Sequence, residues 1–406
     1  GYNKEHKDII TNTNIRSVLV GAEQDVPVYT YYVENGSNYD LYVLADSAIY
    51  TPKDSTRLFR GMSSLTKVDT ANMDVSRTEI MSNMFRDCSQ LTSLDVSRWD
   101  VSNVTKMNSV FENCSNINNL DVSQWKVDNV KDMSWMFYAC GNIADLNVSN
   151  WKVNNVETFQ RIFSGCRKIP STIGVEKWQP TSAKNMLWMF CECENFTELD
   201  LRGWDVSTVE QTGAMFEKCL ALKKLNVSTW DVSNVFEMGV MFRRCEVLEE
   251  LDLSQWKTES LLRTNNMFEN CYKLKTIHFG EGWNMSKTLK TYGMFNKCYE
   301  LTSLDVSEWI VSNVVDMNTM FSNCKALTSL NVSNWNTSNV TNMKSMFNGC
   351  SSLTTLDLSG WNTAKVTHMD SMFNNCSSLT ALDVSGWKTD KVKFMSSMFN
   401  GCVGLT

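Results

Sequence analysis

Proline, glycine and histidine are all scarce in this chain, with 4, 18 and 3 residues out of 406. So little proline and glycine excludes collagen-like and low-complexity classes. No stretch approaches the roughly 20 apolar residues of a membrane-spanning helix. Basic residues are outnumbered, 38 against 45 acidic, for a net charge of −7. That balance argues against a nucleic-acid binder, which normally carries a basic patch, and fits a soluble, self-repelling surface. The opening residues Gly1 to Thr13 are polar and charged and do not read as a secretory leader. Hydrophobic residues make up 43% of the chain, enough for a sizeable core, in a length too great for one ordinary globular domain.

A repeat accounts for both. Phenylalanine recurs at Phe59, Phe85, Phe111, Phe137 and Phe163, then from Phe190 through Phe268 and from Phe295 to Phe399. The step is 26 residues, and 27 at Phe163–Phe190 and Phe268–Phe295. Cysteine follows three residues later in almost every unit, and tryptophan closes the strand segment from Trp99 to Trp387. In the unit Met84 to Ser109, Leu91, Leu94, Val96, Trp99 and Val101 give the strand-and-turn half of a leucine-rich repeat, with Trp in place of the usual Asn or Cys. Leu94 and Val96 alternate with Ser93, Asp95 and Ser97, the period of a short strand. One unit cannot bury its apolar face alone, so neighbours supply the walls. The expected fold is a leucine-rich-repeat solenoid. Stacked 26-residue coils place a parallel β-sheet on one face and irregular or short helical turns on the other. Thirteen or so coils at about 4.8 Å each make a rod of roughly 60 Å.

Met62 and Met73 take the Cys and Trp positions of the weak first unit, which marks both columns as buried. Upstream, Val26, Val28, Tyr29, Thr30, Tyr31, Tyr32 and Val33 favour a strand, and Asn35-Gly36 signals a hairpin turn. Residues 1–57 are therefore read as a β-rich N-terminal cap and 58–406 as the solenoid. Leu405 opens another unit just before the chain stops at Thr406, which reads as a cut end.

The run LTSLDVSRWDVSNVTKMNSVFENC closely resembles the 26-residue repeat of bacterial surface proteins with BspA-type leucine-rich repeats, and the resemblance extends from Leu58 to Thr406. Leu41 to Asp69 also looks like the lead-in that these proteins carry. The resemblance implies a secreted or wall-anchored protein acting in adhesion. Its partner is then a protein or glycan of a host or neighbouring cell. A structural stalk that displays another domain or self-associates is the alternative. Neither a leader nor a wall-sorting motif is read within these residues, so the expected cell-surface location rests on the resemblance.

Fourteen cysteines invite a disulfide or metal reading. A disulfide framework shows irregular, paired spacings, whereas here thirteen thiols share one repeat position and only Cys191 lies off it. They read as small buried hydrophobes. Cys191 and Cys193 have no nearby His or second pair, so no metal site is expected. His6, His278 and His368 come with no nucleophile signature, and no glycine-rich phosphate loop occurs. Neither an enzyme nor a cofactor is expected.

Two constellations are candidate binding surfaces. The first is a ladder on the exposed strand face: Asp95, Asp121, Asn147, Asp200, Asn226, Asp252, His278, Asp305, Asn331, Asp357 and Asp383. It is either a polar groove for a ligand, with Ca²⁺ bridging carboxylates, or the repeat's own turn chemistry. The second is a departure from the repeat. Trp135, Arg161 and Trp188 occupy successive units at a position where other coils carry small or polar residues such as Ser109, Ala214 and Asn266. Arginine between two indoles suits a binding hot spot, and filling a gap beside the irregular coil at Pro170 and Pro180 is the plainer alternative.

Overall fold

The computed structural model describes residues 17–19, 28–35, 38–44 and 47–405. β1 (Ser17–Leu19), β2 (Val28–Asn35) and β3 (Asn38–Leu44) form an antiparallel sheet in that order. Asn35 lies opposite Asn38, so the tyrosine-rich run does become a hairpin strand. Val26 and the turn residues Gly36 and Ser37 lie outside the described residues.

From Ile49 onward the chain winds into coils. β4 (Ile49–Tyr50) pairs parallel with β6 (Met73–Asp74), and β5 (Lys67–Val68) with β7 (Ser93–Leu94). On the same strand half, β8 (Glu198–Asp200) pairs with β9 (Lys224–Asn226), and β10 (Glu250–Leu253) with β11 (Thr276–Phe279). Single parallel bridges, Asn119 to Asp145 and Ser329 to Thr355, mark the strand position elsewhere. The strands are this short because the chain bends at once. The Asp95 carboxylate accepts the Ser97 N–H at 3.1 Å and pulls the backbone out of the extended conformation.

The opposite half differs from the irregular or helical turns expected of it. A single line of parallel bridges runs from Asp54 through Ile80, Lys106 and Asp132 to His368 and Phe394. Beside it the N–H groups of Met81, Asn83, Phe85 and Asp87 donate to the carbonyls of Lys106, Asn108, Val110 and Glu112 in the next coil, at 2.8–3.0 Å. The intervening N–H groups of Met84, Arg86 and Cys88 turn back onto Met81, Asn83 and Phe85. From Met81 to Cys88 every N–H except that of Ser82 is thereby paired, as buried backbone favours. The alternation forces left-handed residues two before and two after each repeat Phe, such as Asn83 (φ 59) and Asp87 (φ 65). Asn, Asp and Gly tolerate that region and β-branched residues do not. Val240 nevertheless sits there at φ 52, where the next coil has Asn266. Val240→Asn is expected to stabilise the protein by about 1 kcal/mol, read from urea unfolding. A loss of stability would mean that valine packing outweighs its backbone strain.

Helical structure among the described residues is limited to two short 3₁₀ turns, Ser171–Ile173 and Val175–Lys177, in one of the two 27-residue units. Gly174 joins them at φ 97, and a Cβ there would lie 2.6 Å from the Ser149 Cα. In the other long unit a Cβ on Gly280 would lie 1.7 Å from the Ser254 carbonyl oxygen. Both insertions thus depend on backbone packed directly against the preceding coil.

Among the buried columns of Leu, Val and Met that fill the core run three of aromatic residues and cysteine. The repeat phenylalanines stack face to face, as in Phe111–Phe137 at 5.7 Å and 14°. The tryptophans do the same, as in Trp309–Trp335 at 6.3 Å and 3°. Parallel rings separated by more than the strand spacing are offset stacks, the favoured geometry. Eight of the buried indoles also donate to the preceding coil, as Trp125 does to the Val96 carbonyl at 3.0 Å and Trp230 to Leu201 at 2.9 Å, whereas the buried indole N–H groups of Trp99 and Trp283 have no partner. The third column is cysteine, and it corrects the reading of these residues as hydrophobes alone. From Cys88 to Cys402 each repeat thiol donates to the carbonyl of the repeat Phe one coil back, as Cys140 does to Phe111 at 3.0 Å. All fourteen thiols are free.

Candidate functional site

The strand-face ladder is solvent-facing, and its carboxylates are already occupied locally. Asp121 Oδ1 accepts the Ser123 N–H at 3.0 Å and its hydroxyl at 2.7 Å. Asp95, Asp305 and Asp357 repeat the arrangement. Asp252 and Asp383 hold the N–H of Ser254 and Ser385, and Asn147 that of Ser149. Asn226 and Asn331 use their amide oxygens on Ser228 and Ser333. Asp200 pairs with Arg202 instead, at 2.6 Å. Only His278 makes no such turn. Its ring lies 3.2 Å from Glu250, and Gly280 follows two residues on. Hydrogen bonds from Ser307, Ser359 and Ser385 hold Asp305, Asp357 and Asp383 below the usual carboxylate range. These turns are therefore intact above that range and weaken as pH falls through it.

Because asparagine does the same work in three coils, Asp305→Asn is expected to change stability by less than about 0.5 kcal/mol. Asp305→Ala is expected to cost about 1 kcal/mol. Equal losses in both variants, measured by urea unfolding, would assign the carboxylate a role beyond the turn. No group of three or more His, Cys, Asp or Glu among the described residues is arranged to hold a metal ion.

The second constellation is brought together. Trp135, Arg161 and Trp188 all stand at the left-handed position two before the repeat Phe, with φ of 61, 56 and 55. Successive coils therefore project them side by side, half-buried. The Arg161 guanidinium carbon lies 4.7 Å from the Trp135 ring centroid and 4.3 Å from that of Trp188, a cation sandwiched between two indoles. Tyr138 packs edge-on against Trp135 at 4.8 Å and lies 5.6 Å from the guanidinium. Sequence reasoning missed Tyr138, whose signal was its place one residue after the repeat Phe, facing the same side as Trp135.

Charge around the sandwich is arranged in a particular way. Glu112 and Glu217 flank it at the Tyr138 position of the neighbouring coils, both nearly buried. Glu112 pairs with Arg86 at 3.0 Å, and Glu217 pairs with Arg243. Beneath Trp188, the off-repeat Cys191 is buried against Glu217, and burial pushes its thiol up to about 12. It is a thiol, not a nucleophile, at neutral pH. His368 stacks on Phe394 at 4.7 Å and bonds to Thr367, far along the chain from any of these groups.

Stacked parallel coils, short strands and aromatic and cysteine columns define a repeat solenoid of the leucine-rich-repeat type. The chain belongs to the family described as "Mycoplasma protein of unknown function, DUF285", whose model matches residues 53–178, 141–225, 184–303 and 290–405. Among solved structures the chain is similar to that of the TLR13–ssRNA13 complex. The identity is 14%, the match covers 86% of this chain and 67% of that one, and the TM-score is 0.31. It is also similar to the functional domain of InlJ from Listeria monocytogenes, described as including a cysteine ladder. There the identity is 14%, the coverage 77% of this chain and 59% of that one, and the TM-score 0.20. No curated protein sequence matches the chain.

Proposed function

We propose that this solenoid is a non-enzymatic, cell-surface recognition module of the BspA-type repeat group, binding a protein or glycan partner. One observation carries this reading. In a column of otherwise small or polar residues, three successive coils place Trp135, Arg161 and Trp188 in a half-exposed cation–aromatic sandwich. Aromatic and arginine side chains are the residues that dominate binding energy at interfaces. The strand-face ladder, in contrast, uses its oxygens on its own turns and supports architecture. The regularity of the remaining coils suits a rigid presenting scaffold.

The test is a binding screen of the whole chain against arrays of extracellular-matrix proteins and glycans, with and without Ca²⁺. A saturable hit, weakened at least tenfold in Trp135→Ala and Trp188→Ala, is the expected result. A blank screen, or a hit indifferent to both substitutions, overturns the reading and leaves a structural stalk.

A further inference from the structure

Resting on that reading, we infer that the Trp135–Arg161–Trp188 sandwich binds a single carboxylate, presented on an acidic sugar ring. Arg161 is the anchor. Six other arginines of the solenoid, Arg86, Arg167, Arg202, Arg243, Arg244 and Arg263, each pair with a carboxylate. Arg161 pairs with none among the described residues, and its Nε is buried without any hydrogen-bond partner. The two indoles cover both faces of the guanidinium and strip water from them. Because the Nε is buried, what remains for a ligand is the Nη1–Nη2 edge, whose paired N–H donors match a carboxylate in two parallel hydrogen bonds.

The surroundings set the size of the anion. Glu112 and Glu217 stand beyond the two ends of the sandwich, already held by Arg86 and Arg243, and the chain as a whole carries a net −7. An extended polyanion lying along the rod would be opposed by that net charge, and the two arginines beside the sandwich are already taken, whereas a ligand with one negative group needs Arg161 alone. The indoles then select a ring. Ser109 and Ala214, at the same position in the coils on either side, are small and buried, so no large side chain at this position rises beside the partly exposed indoles. A pyranose lying across the outward rims of the two indoles can set its carboxylate on the guanidinium edge between them. An Asp or Glu side chain would leave that surface unused. The Trp135 and Trp188 indole N–H groups have no protein acceptor among the described residues, and are free to bind ring hydroxyls.

The experiment is calorimetric titration of the whole chain with N-acetylneuraminic acid and glucuronic acid, alongside their methyl esters and glucose. Saturable binding of an acid is expected, at least about tenfold weaker for its ester and for Arg161→Gln. The esters make the test independent of whether the variant folds, and thermal unfolding checks the variant. Equal binding of acid and ester, or no binding of either acid, overturns the inference, as does tighter binding of a glutamate-rich peptide. If an array partner is lost in Trp188→Ala yet neither acid competes with it, the sugar assignment fails and the recognition module stands. If no partner responds to Trp188→Ala, both fail.

Discussion

Raising the pH from 8 to 10 is expected to unfold this protein at room temperature. Every one of the fourteen thiols has its ionisation pushed upward, chiefly by burial away from water. Cys88 rises from 9.0 to about 11 and Cys376 to about 12, and burial likewise drives the fully enclosed Cys140, Cys219 and Cys245 well above the ordinary thiol value. A raised pKa on an acid means that the folded state keeps its proton while the unfolded chain loses it. The stabilisation is complete below the unfolded value near 9 and is lost as pH climbs from there toward the folded values. Each such thiol contributes a slope of about 1.4 kcal/mol per pH unit. Integrated from pH 8 to 10 over the thirteen enclosed thiols, leaving out the partly exposed Cys402, the loss is on the order of 15–20 kcal/mol, comparable with the whole stability of a folded protein. The check is urea unfolding across pH 7.5–10.5 with thiolate absorbance followed in parallel. Unfolding and thiolate formation should coincide near pH 9–10, and replacing four column cysteines by Ala should flatten the slope by about 6 kcal/mol per unit. Thiolates forming in a protein that stays folded would sink the argument, since they would have to ionise inside the core. The same burial makes the column inert to alkylation at pH 7, so an oxidising exterior does not by itself convert it into disulfides.

Most of the coil was legible because burial there is total and repetitive. Phe, Cys and Trp recur at fixed positions since each must face its own copy one turn away, and Met62 and Met73 could be read as apolar stand-ins for the same reason. The sandwich was legible as a column, because residues one period apart stack whatever their chemistry. Its geometry was not, since nothing in a Trp–Arg–Trp series says that the rings lie parallel with a cation between them. The return half was misjudged for a physical reason. Its order resides in backbone N–H groups that alternate between the next coil and their own turn, and side chains barely record this. The one trace is the frequent Asn, Asp or Gly at the left-handed positions, as at Asp87, Asn113, Gly165 and Asn270, diluted by Lys218, Arg244 and Val240. The thiols hid a second role for a related reason. A cysteine that donates to a carbonyl and one that merely fills space occupy the same slot.

Truncating one mid-stack tryptophan is the second large effect. Trp230 is 1% exposed, lies 6.1 Å from both Trp204 and Trp256 in near-parallel stacking, and donates to the Leu201 carbonyl. Trp230→Ala removes the ring, both stacks and the hydrogen bond, at a cost of about 3–5 kcal/mol. Trp387 provides the internal comparison. It is only partly buried and its indole N–H has no partner, so Trp387→Ala is expected to cost less than half as much. The two lesions should also differ in kind. Coils touch only their neighbours, so cooperativity passes along the rod through each interface in turn. A cavity at Trp230 weakens the link between the coils before it and those after it. Urea unfolding of Trp230→Ala should therefore broaden or split into two transitions, with amide exchange fastest in the coils flanking residue 230. Trp387→Ala should shift a single transition only slightly. Equal small shifts in both variants would mean that the tryptophan stack follows the coil geometry and does not maintain it. In that case the phenylalanine and cysteine columns, with the backbone ladder of the return half, must hold the rod together.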